Sequence, residues 1–167
     1  MARASCLGAL VVVMAMASTA RAEPSLGSAE MRLSYGLAAG GGSGRSSLGA
    51  TPLVLSLGGS MAIREQPRVS GFAAIVVETF DRTGAGGEAG LMLTPGAHLR
   101  LRAGVIGIAA PYTIWGGATG ASVCWPVAGV RACGDLSVDV LVGGTDLPSG
   151  SALLQVRLGL GAVFDVG

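Results

Sequence analysis

The sequence predicts an all-β fold, an antiparallel up-and-down β-barrel of about eight strands that crosses a membrane. Apolar and polar residues alternate through most of the chain, which is the period of a strand with one apolar and one polar face. Long and short connections alternate as well, and an export leader precedes the first strand. The clearest apolar face belongs to the last strand and consists of Ala152, Leu154, Val156, Leu158, Leu160, Ala162 and Phe164.

Residues 1–22 are predicted to be a signal peptide and residues 23–167 a single barrel domain. Arg3 supplies the positive start, and the apolar run at 7–17 is too short to span a bilayer. A small-x-small cleavage site follows at 20–22. The alternative is an uncleaved anchor, which the length of the apolar run disfavours.

The composition argues against nucleic-acid binding. The chain contains no lysine, and the exported part would carry nine arginines against ten acidic residues, without basic clusters. The chain contains 29 glycines, and many of them fall within the predicted strands. In a soluble core, glycine contributes no side chain to the packing. In a narrow barrel, it leaves room for large side chains on the opposite wall.

The first four predicted strands cover residues 29–39, 50–64, 68–80 and 88–94. The apolar face of the first strand consists of Met31, Leu33, Tyr35 and Leu37. That of the second consists of Leu53, Leu55 and Leu57. The third alternates less well, because Phe72 and Val76 fall on its polar side, and the fourth is short and weak.

The last four predicted strands cover residues 97–108, 116–125, 130–142 and 152–166. In the fifth, the polar positions that alternate with leucines, alanine and valine are His98, Arg100, Arg102 and Gly104. The sixth is rich in glycine and alanine. The apolar face of the seventh consists of Leu136, Val138, Val140 and Val142.

The connections are predicted to be long at one end of the barrel and tight at the other. The long ones are 40–49, 81–87, 109–115 and 143–151, and the tight ones are 65–67, 95–96 and 128–129. Transmembrane barrels sort their connections in this way, with the long loops facing outward.

The end of the chain carries a recognisable pattern: a polar residue, glycine, an apolar residue and an aromatic residue at fixed spacing. These positions are Arg157, Gly159, Ala162 and Phe164. With this motif and its architecture, the chain resembles the small eight-stranded bacterial outer-membrane barrels, the class of the OmpA transmembrane domain and OmpX. The resemblance implies export through the periplasm to the outer membrane. It also implies two partners, the lipid of that membrane and the machinery that inserts barrels, which reads the motif.

No residues form a convincing catalytic, cofactor or metal site, and a non-enzymatic protein without a cofactor is predicted. Residues 40–46 are similar to a phosphate-binding loop, but Ala39 replaces its first glycine and Arg45 its lysine, so a surface loop is favoured. His98, the only histidine, lies on the same face of its predicted strand as Arg100 and Arg102, so its side chain is expected to point toward the polar interior. The partners that a catalytic triad requires are not apparent there.

Cys124 and Cys133 are predicted to form a disulfide. A two-residue turn at 128–129 places them opposite each other, at a non-hydrogen-bonded pair where side chains approach most closely. The exported compartment is oxidising, and their spacing fits neither a redox motif nor a metal site. The pair is therefore interpreted as a structural clip.

The polar faces of the strands carry enough charge to form a network inside the barrel. The predicted lumen charge network consists of Arg32, Arg100, Arg102, Asp135, Asp139 and Arg157, and Glu30 and Glu78 share the same faces. Charges inside a barrel must be paired. Eight strands leave an interior just wide enough for side chains, so a filled lumen is favoured over an ion path.

Three functions remain open at this point. The first is a non-enzymatic outer-membrane barrel that stiffens the envelope or presents loops. The second is a secreted or periplasmic soluble barrel that binds a small apolar ligand, and the third is a lipid-modifying outer-membrane enzyme. The direction of the apolar faces separates the first two, because a soluble barrel turns them inward and a membrane barrel turns them outward.

Overall fold

The structure is a computed structural model that describes residues 27–42, 45–63, 66–79 and 83–166. These residues form nine β-strands: β1 (Gly27–Gly42), β2 (Arg45–Ala50), β3 (Leu53–Ile63), β4 (Gln66–Thr79), β5 (Thr83–Leu93), β6 (Leu99–Ala110), β7 (Ile114–Val127), β8 (Val130–Gly143) and β9 (Ala152–Val166). In the described parts of the chain, no helix is long and apolar enough to cross a membrane.

The strands close into an antiparallel barrel. From β3 to β9 each strand pairs with the next in the chain, and β1 pairs with both β3 and β9, which closes the sheet. Strands β2 and β3 pair with successive parts of β1 on the same side of that strand. Together they occupy one strand position in the barrel wall, which we call a stave. The barrel therefore has eight staves, and the predicted fold class is confirmed.

The break between β2 and β3 lies at residues 51–52, where Pro52 has no N–H to donate to a ladder. Thr51 bridges the break to β1. Its backbone N–H donates to the carbonyl oxygen of Gly36 at 2.9 Å, and its hydroxyl accepts from the N–H of Gly36 at 2.7 Å. A Cβ on Gly36 would lie 1.9 Å from the carbonyl oxygen of Val156, so only glycine fits this close approach.

The predicted sorting of long loops to one end is largely wrong. Strand β1 ends at position 42 and β2 begins at 45, strand β4 ends at 79 and β5 begins at 83, and the described connections at that end span 111–113 and 144–151. Only the last is long. The predicted loops at 40–49, 81–87 and 109–115 are mostly strand. Only the first two are rich in glycine, and the strand residues of all three segments pair with a neighbouring strand. We call this end of the barrel the loop end and the opposite end, where Gly27 and Val166 lie, the turn end.

The apolar faces of the strands point outward and the polar faces point inward. On β9, Leu158 and Leu160 are 69% and 75% exposed, whereas Gln155 and Arg157 are each 4% exposed. The same alternation holds along β1, where Met31, Leu33, Tyr35 and Leu37 are exposed between buried polar residues. The barrel has the orientation expected of a wall surrounded by lipid, and the reverse of a soluble ligand-binding barrel.

Candidate functional site

A charge network fills the half of the lumen nearer the turn end. We define it as Glu30, Arg32, Glu88, Arg100, Arg102 and Asp135, all of them at most 9% exposed. These side chains lie on β1, β5, β6 and β8, at positions where the residue faces inward. Inward-facing residues recur at every second position of a strand. The network holds three arginines and three carboxylates, so its formal charges balance.

Each arginine of the network has a carboxylate partner. Nη1 of Arg100 donates to Oε2 of Glu30 at 2.9 Å. Nη2 of Arg32 donates to Oε2 of Glu88, also at 2.9 Å, and Nε of Arg32 lies 3.6 Å from Glu30. The two carboxylates thus bridge neighbouring arginines, which is the pairing that buried charges require.

Asp135 makes the tightest contacts of the network. Its two oxygens accept from Nη1 and Nη2 of Arg102 at 2.6 and 3.1 Å, a bidentate arrangement. The hydroxyl of Ser122 donates to Oδ2 of Asp135 at 2.6 Å, and Nε of Arg102 reaches Glu88 at 3.3 Å. Arg102 and its partners therefore link the four strands β5, β6, β7 and β8 by hydrogen bonds.

A second ion pair lies apart from the network. Arg157 on β9 lies opposite Ser137 on β8 and donates from Nη2 to Asp139. All six predicted lumen charges are therefore buried inside the barrel, but they form two groups. Sequence reasoning missed Glu88, which bridges Arg32 and Arg102, because its strand carries glycine and alanine in place of a clear alternation.

The loop-end half of the lumen contains an apolar cluster beside its buried charges, Glu78 and the pair of Arg157 with Asp139, so charged residues do not fill the whole interior. A cluster that we call the apolar plug consists of Val54, Val76, Ile106, Ile108, Ile114, Ala118 and Leu141. Val76 and Ile108 were detectable in the sequence, because they are apolar residues on the polar side of their strands. The side chains of the apolar plug form one buried hydrophobic cluster inside the barrel.

Tyr112 covers the apolar plug at the loop end. Its hydroxyl donates to Oε2 of Glu78 at 2.6 Å, and its ring occupies the space beside Gly84, where a Cβ would lie 3.1 Å from the hydroxyl oxygen. Partial burial, together with this hydrogen bond and the negative charge of Glu78, raises the pKa of Tyr112. The hydroxyl therefore stays protonated and remains a donor.

The connection at 144–151 folds back onto the neighbouring connection at 111–113. The backbone N–H of Thr113 donates to Oδ2 of Asp146 at 2.6 Å, and the hydroxyl of Thr145 donates to the same oxygen at 2.9 Å. The hydrogen bond from the Thr113 backbone, and then that from Thr145, lower the pKa of Asp146 below its ordinary value of 3.8.

We expect the contact between these two connections to weaken only in strong acid. Because the folded-state pKa of Asp146 is lowered, its contribution is present above pH 3.8 and is lost as the pH falls through the folded value. The backbone amide resonance of Thr113 should titrate with a midpoint below 3.8 in NMR spectra. The variant Asp146→Asn should abolish that titration, and a midpoint at or above 3.8 in the natural protein would contradict the assignment.

The structure joins Cys124 and Cys133 in a disulfide with sulfur atoms 2.06 Å apart. The turn that pairs them has Ala128 and Gly129 both at positive φ, at 50° and 84°, as a two-residue hairpin turn requires. The N–H of Cys124 points away from β8 and donates to the carbonyl oxygen of His98 at 2.8 Å, so the cysteines occupy a non-hydrogen-bonded pair of the β7–β8 ladder.

His98 has a structural contact with this region. Its Nδ1 lies 2.7 Å from the carbonyl oxygen of Cys124. The ring and the backbone of His98 therefore hold the end of β7 from the side of β6. No group of three or more potential metal-ligating residues was found among the described residues.

Loss of the disulfide is expected to destabilise the folded barrel by about 2 kcal/mol, because the bond closes a short loop and constrains the unfolded chain modestly. Urea unfolding of the protein in detergent, with and without reductant, measures this difference. The double variant Cys124→Ala/Cys133→Ala should match the reduced protein and should not respond to reductant. Equal stability of the reduced and oxidised proteins would rule out the clip as a stabilising element.

The outer face of the barrel carries tryptophan near both ends. Trp115 lies at the loop end of β7 and is 58% exposed, and Trp125 lies toward the turn end of the same strand and is 50% exposed. Phe164 is also exposed at the turn end. Aromatic residues at these two levels suit the two interfaces between lipid and water.

The residues of the predicted insertion signal take two orientations on β9. Arg157 and Gly159 face the lumen, whereas Ala162 and Phe164 lie on the outward face. Recognition of this pattern by the insertion machinery remains a prediction. The segment that is similar to a phosphate-binding loop forms the ends of β1 and β2, apart from residues 43–44, which are outside the described residues.

The fold and the lumen together define a class of architecture: a closed antiparallel barrel of eight staves, apolar outside and charged inside, as in the small outer-membrane barrels. The structure matches two crystal structures of Ail, the attachment invasion locus protein of Yersinia pestis, one of them in complex with the heparin analogue sucrose octasulfate. Each match has a TM-score of 0.48 at 12% sequence identity and covers 83% of this chain and 99% of the other. No protein-family profile matches the sequence, and a search of curated proteins found no significant match.

Proposed function

We propose that the protein is a non-enzymatic outer-membrane β-barrel with a filled lumen and a structural or surface-presenting role in the envelope. The observation that carries this proposal is the orientation of the staves. Large apolar side chains cover the outside, and paired charges occupy the inside. That distribution has a low free energy only where the surroundings are apolar.

The outward apolar surface is too extensive for water. Each of the eight strands β1 and β3–β9 carries exposed large hydrophobic residues, which are leucine, isoleucine, methionine, valine or aromatic residues. Soluble monomers rarely expose contiguous apolar patches of more than a few hundred Å². Lipid chains would remove this face from water on every side of the barrel.

The lumen is proposed to be closed to ions. The charge network and the pair of Arg157 with Asp139 occupy the turn-end and central parts, and the apolar plug occupies the loop end. An eight-stranded barrel has little interior space beyond its own side chains. Of the two envelope roles, stiffening is the better supported, because the described connections at the loop end are short apart from 144–151.

Export forms part of the proposal. Residues 1–22 lie outside the described residues, and their removal as a signal peptide is inferred from the sequence pattern alone. We infer that the chain then reaches the insertion machinery, which reads the motif that ends at Phe164. Lipid of the outer membrane is the partner of the outward face.

Fractionation of cells that produce the full chain tests the proposed location. The protein should be recovered with the outer membrane, should need detergent for extraction, and should run faster on a gel before heating than after. A protein recovered soluble from the periplasm would refute the proposal. For the lumen, purified protein in planar bilayers should give no stable conductance steps, and reproducible steps would show that the lumen is open.

A further inference from the structure

We propose that the Cys124–Cys133 disulfide is made by a protein dithiol–disulfide oxidant in the periplasm, while hairpin β7–β8 is still open and before β9 closes the barrel. The proposal rests on export as described under the proposed function. It goes beyond that function because it assigns an obligatory order to two events, oxidation and barrel closure.

The position of the two sulfur atoms sets this order. Both cysteine side chains point into the lumen, where Cys124 is fully buried and Cys133 is 6% exposed. Thiol–disulfide exchange requires a thiolate to reach a sulfur atom of the oxidant. The lumen of an eight-stranded barrel holds side chains only, so a protein oxidant cannot enter it.

The strand that covers the cysteines is the last one in the chain. Val163 of β9 packs against Cys124 and Cys133 in a buried cluster, and Gly161 of β9 lies opposite Cys133 in the ladder. Before β9 docks, this side of the pair is open. Closure of β9 onto β8 and β1 therefore removes the access that the oxidant needs.

The cysteines meet without help from the rest of the barrel. They are nine positions apart, and the pairing of β7 with β8 through the turn at 128–129 brings them opposite each other. Such a hairpin forms from local contacts and on a microsecond timescale. The reactive geometry thus exists in an intermediate that has only these two strands paired.

The bond forms by thiol–disulfide exchange between the two cysteines and the oxidant. The thiolate of one cysteine attacks the disulfide of the oxidant, forms a mixed disulfide and releases one oxidant thiolate. The thiolate of the second cysteine then attacks the chain's own sulfur in the mixed disulfide, forms the Cys124–Cys133 bond and releases the second oxidant thiolate. Two electrons pass from the cysteine pair to the oxidant, and the two thiol protons end on the reduced oxidant or in water.

Kinetics in vitro test the order directly. The reduced chain is folded in detergent under reductant, freed of reductant, and mixed with a purified thioredoxin-fold oxidant in its disulfide form. Oxidation, followed by alkylation and a gel shift, should be at least about 100-fold slower than for the same chain in urea, because it must await local opening. Addition of urea to the folded sample should restore the fast rate, which shows that the thiols stayed reactive. Similar rates for folded and unfolded chains would overturn the proposal.

Pulse labelling in cells provides a second measurement that does not need the reduced chain to fold in vitro. Samples taken during the chase are alkylated and separated without heating, so that the closed barrel and its thiol state are read together. The closed band in the membrane fraction should contain the disulfide form at every time. A closed band that first carries free thiols and later loses them would overturn the order. Absence of a closed band from the membrane would instead refute the proposed function.

Discussion

Replacing Leu158 by arginine is expected to destabilise the barrel in a bilayer by about 2–4 kcal/mol, because the residue lies on the outward face near the middle of β9. A charged side chain at the bilayer centre cannot reach water without distorting the lipid. Reversible unfolding by denaturant in lipid vesicles measures the loss, and reduced yield of the fast-migrating folded form should accompany it.

The same strand supplies matched controls at other depths. Ala152→Arg places the charge on the same face at the loop end of β9, where the cost near an interface should fall to about 0–1 kcal/mol. Leu158→Ala removes apolar contact without adding charge. If arginine at 158 and at 152 had equal effects, or if both were harmless, the outward face would not be in contact with lipid.

Val138 and Leu101 extend this test to two other staves. Both are outward residues of β8 and β6, and arginine at either should also impair assembly. Arginine at Ser137 or Gly104 should fail for a different reason, since these positions face the packed lumen, and a Cβ at Gly104 would already lie 2.1 Å from the carbonyl oxygen of Ala89. Spin labels at these positions distinguish exposure to lipid from crowding in the lumen, because lipid-soluble quenchers should reach only the labels on the outward face.

The sequence was most informative where large and polar residues alternate. The β9 limits at 152 and 166 and the turn at 128–129 follow from alternation and from the mirror positions of the cysteines. The pattern failed in segments such as 83–93, whose outward positions are partly glycine and alanine and give little contrast with the inward ones. Glu88 was lost from the predicted network for that reason.

The position of the apolar plug along the barrel axis could not be predicted from the alternation of residues either. Parity gives the side of the wall that a residue faces, whereas its height in the barrel depends on the stagger between strands. Ile106 and Ile108 share their parity with Arg102, yet they belong to the apolar plug nearer the loop end. Only the register of neighbouring strands places them beside Val76 and Leu141.

Loss of Asp135 alone is expected to be the most damaging change inside the lumen, at about 3–5 kcal/mol for Asp135→Leu. The substitution removes both acceptors of the bidentate contact with Arg102 and leaves the charge network with one surplus positive charge. Glu88 cannot compensate, because it already bridges Arg102 and Arg32. Unfolding in lipid vesicles, where no insertion machinery takes part, measures the loss.

The double variant Arg102→Met/Asp135→Leu should recover most of that stability. It removes one charge of each sign, so Glu30, Glu88, Arg32 and Arg100 stay balanced, and it replaces a desolvated ion pair by apolar side chains of similar length. Arg102→Met alone should also destabilise the barrel, but by leaving a surplus negative charge in the network. Asp135 would then keep only Ser122 as a hydrogen-bond donor among the described contacts. Additive losses in the double variant would mean that the two residues act independently, and a network maintained by charge balance would then be excluded.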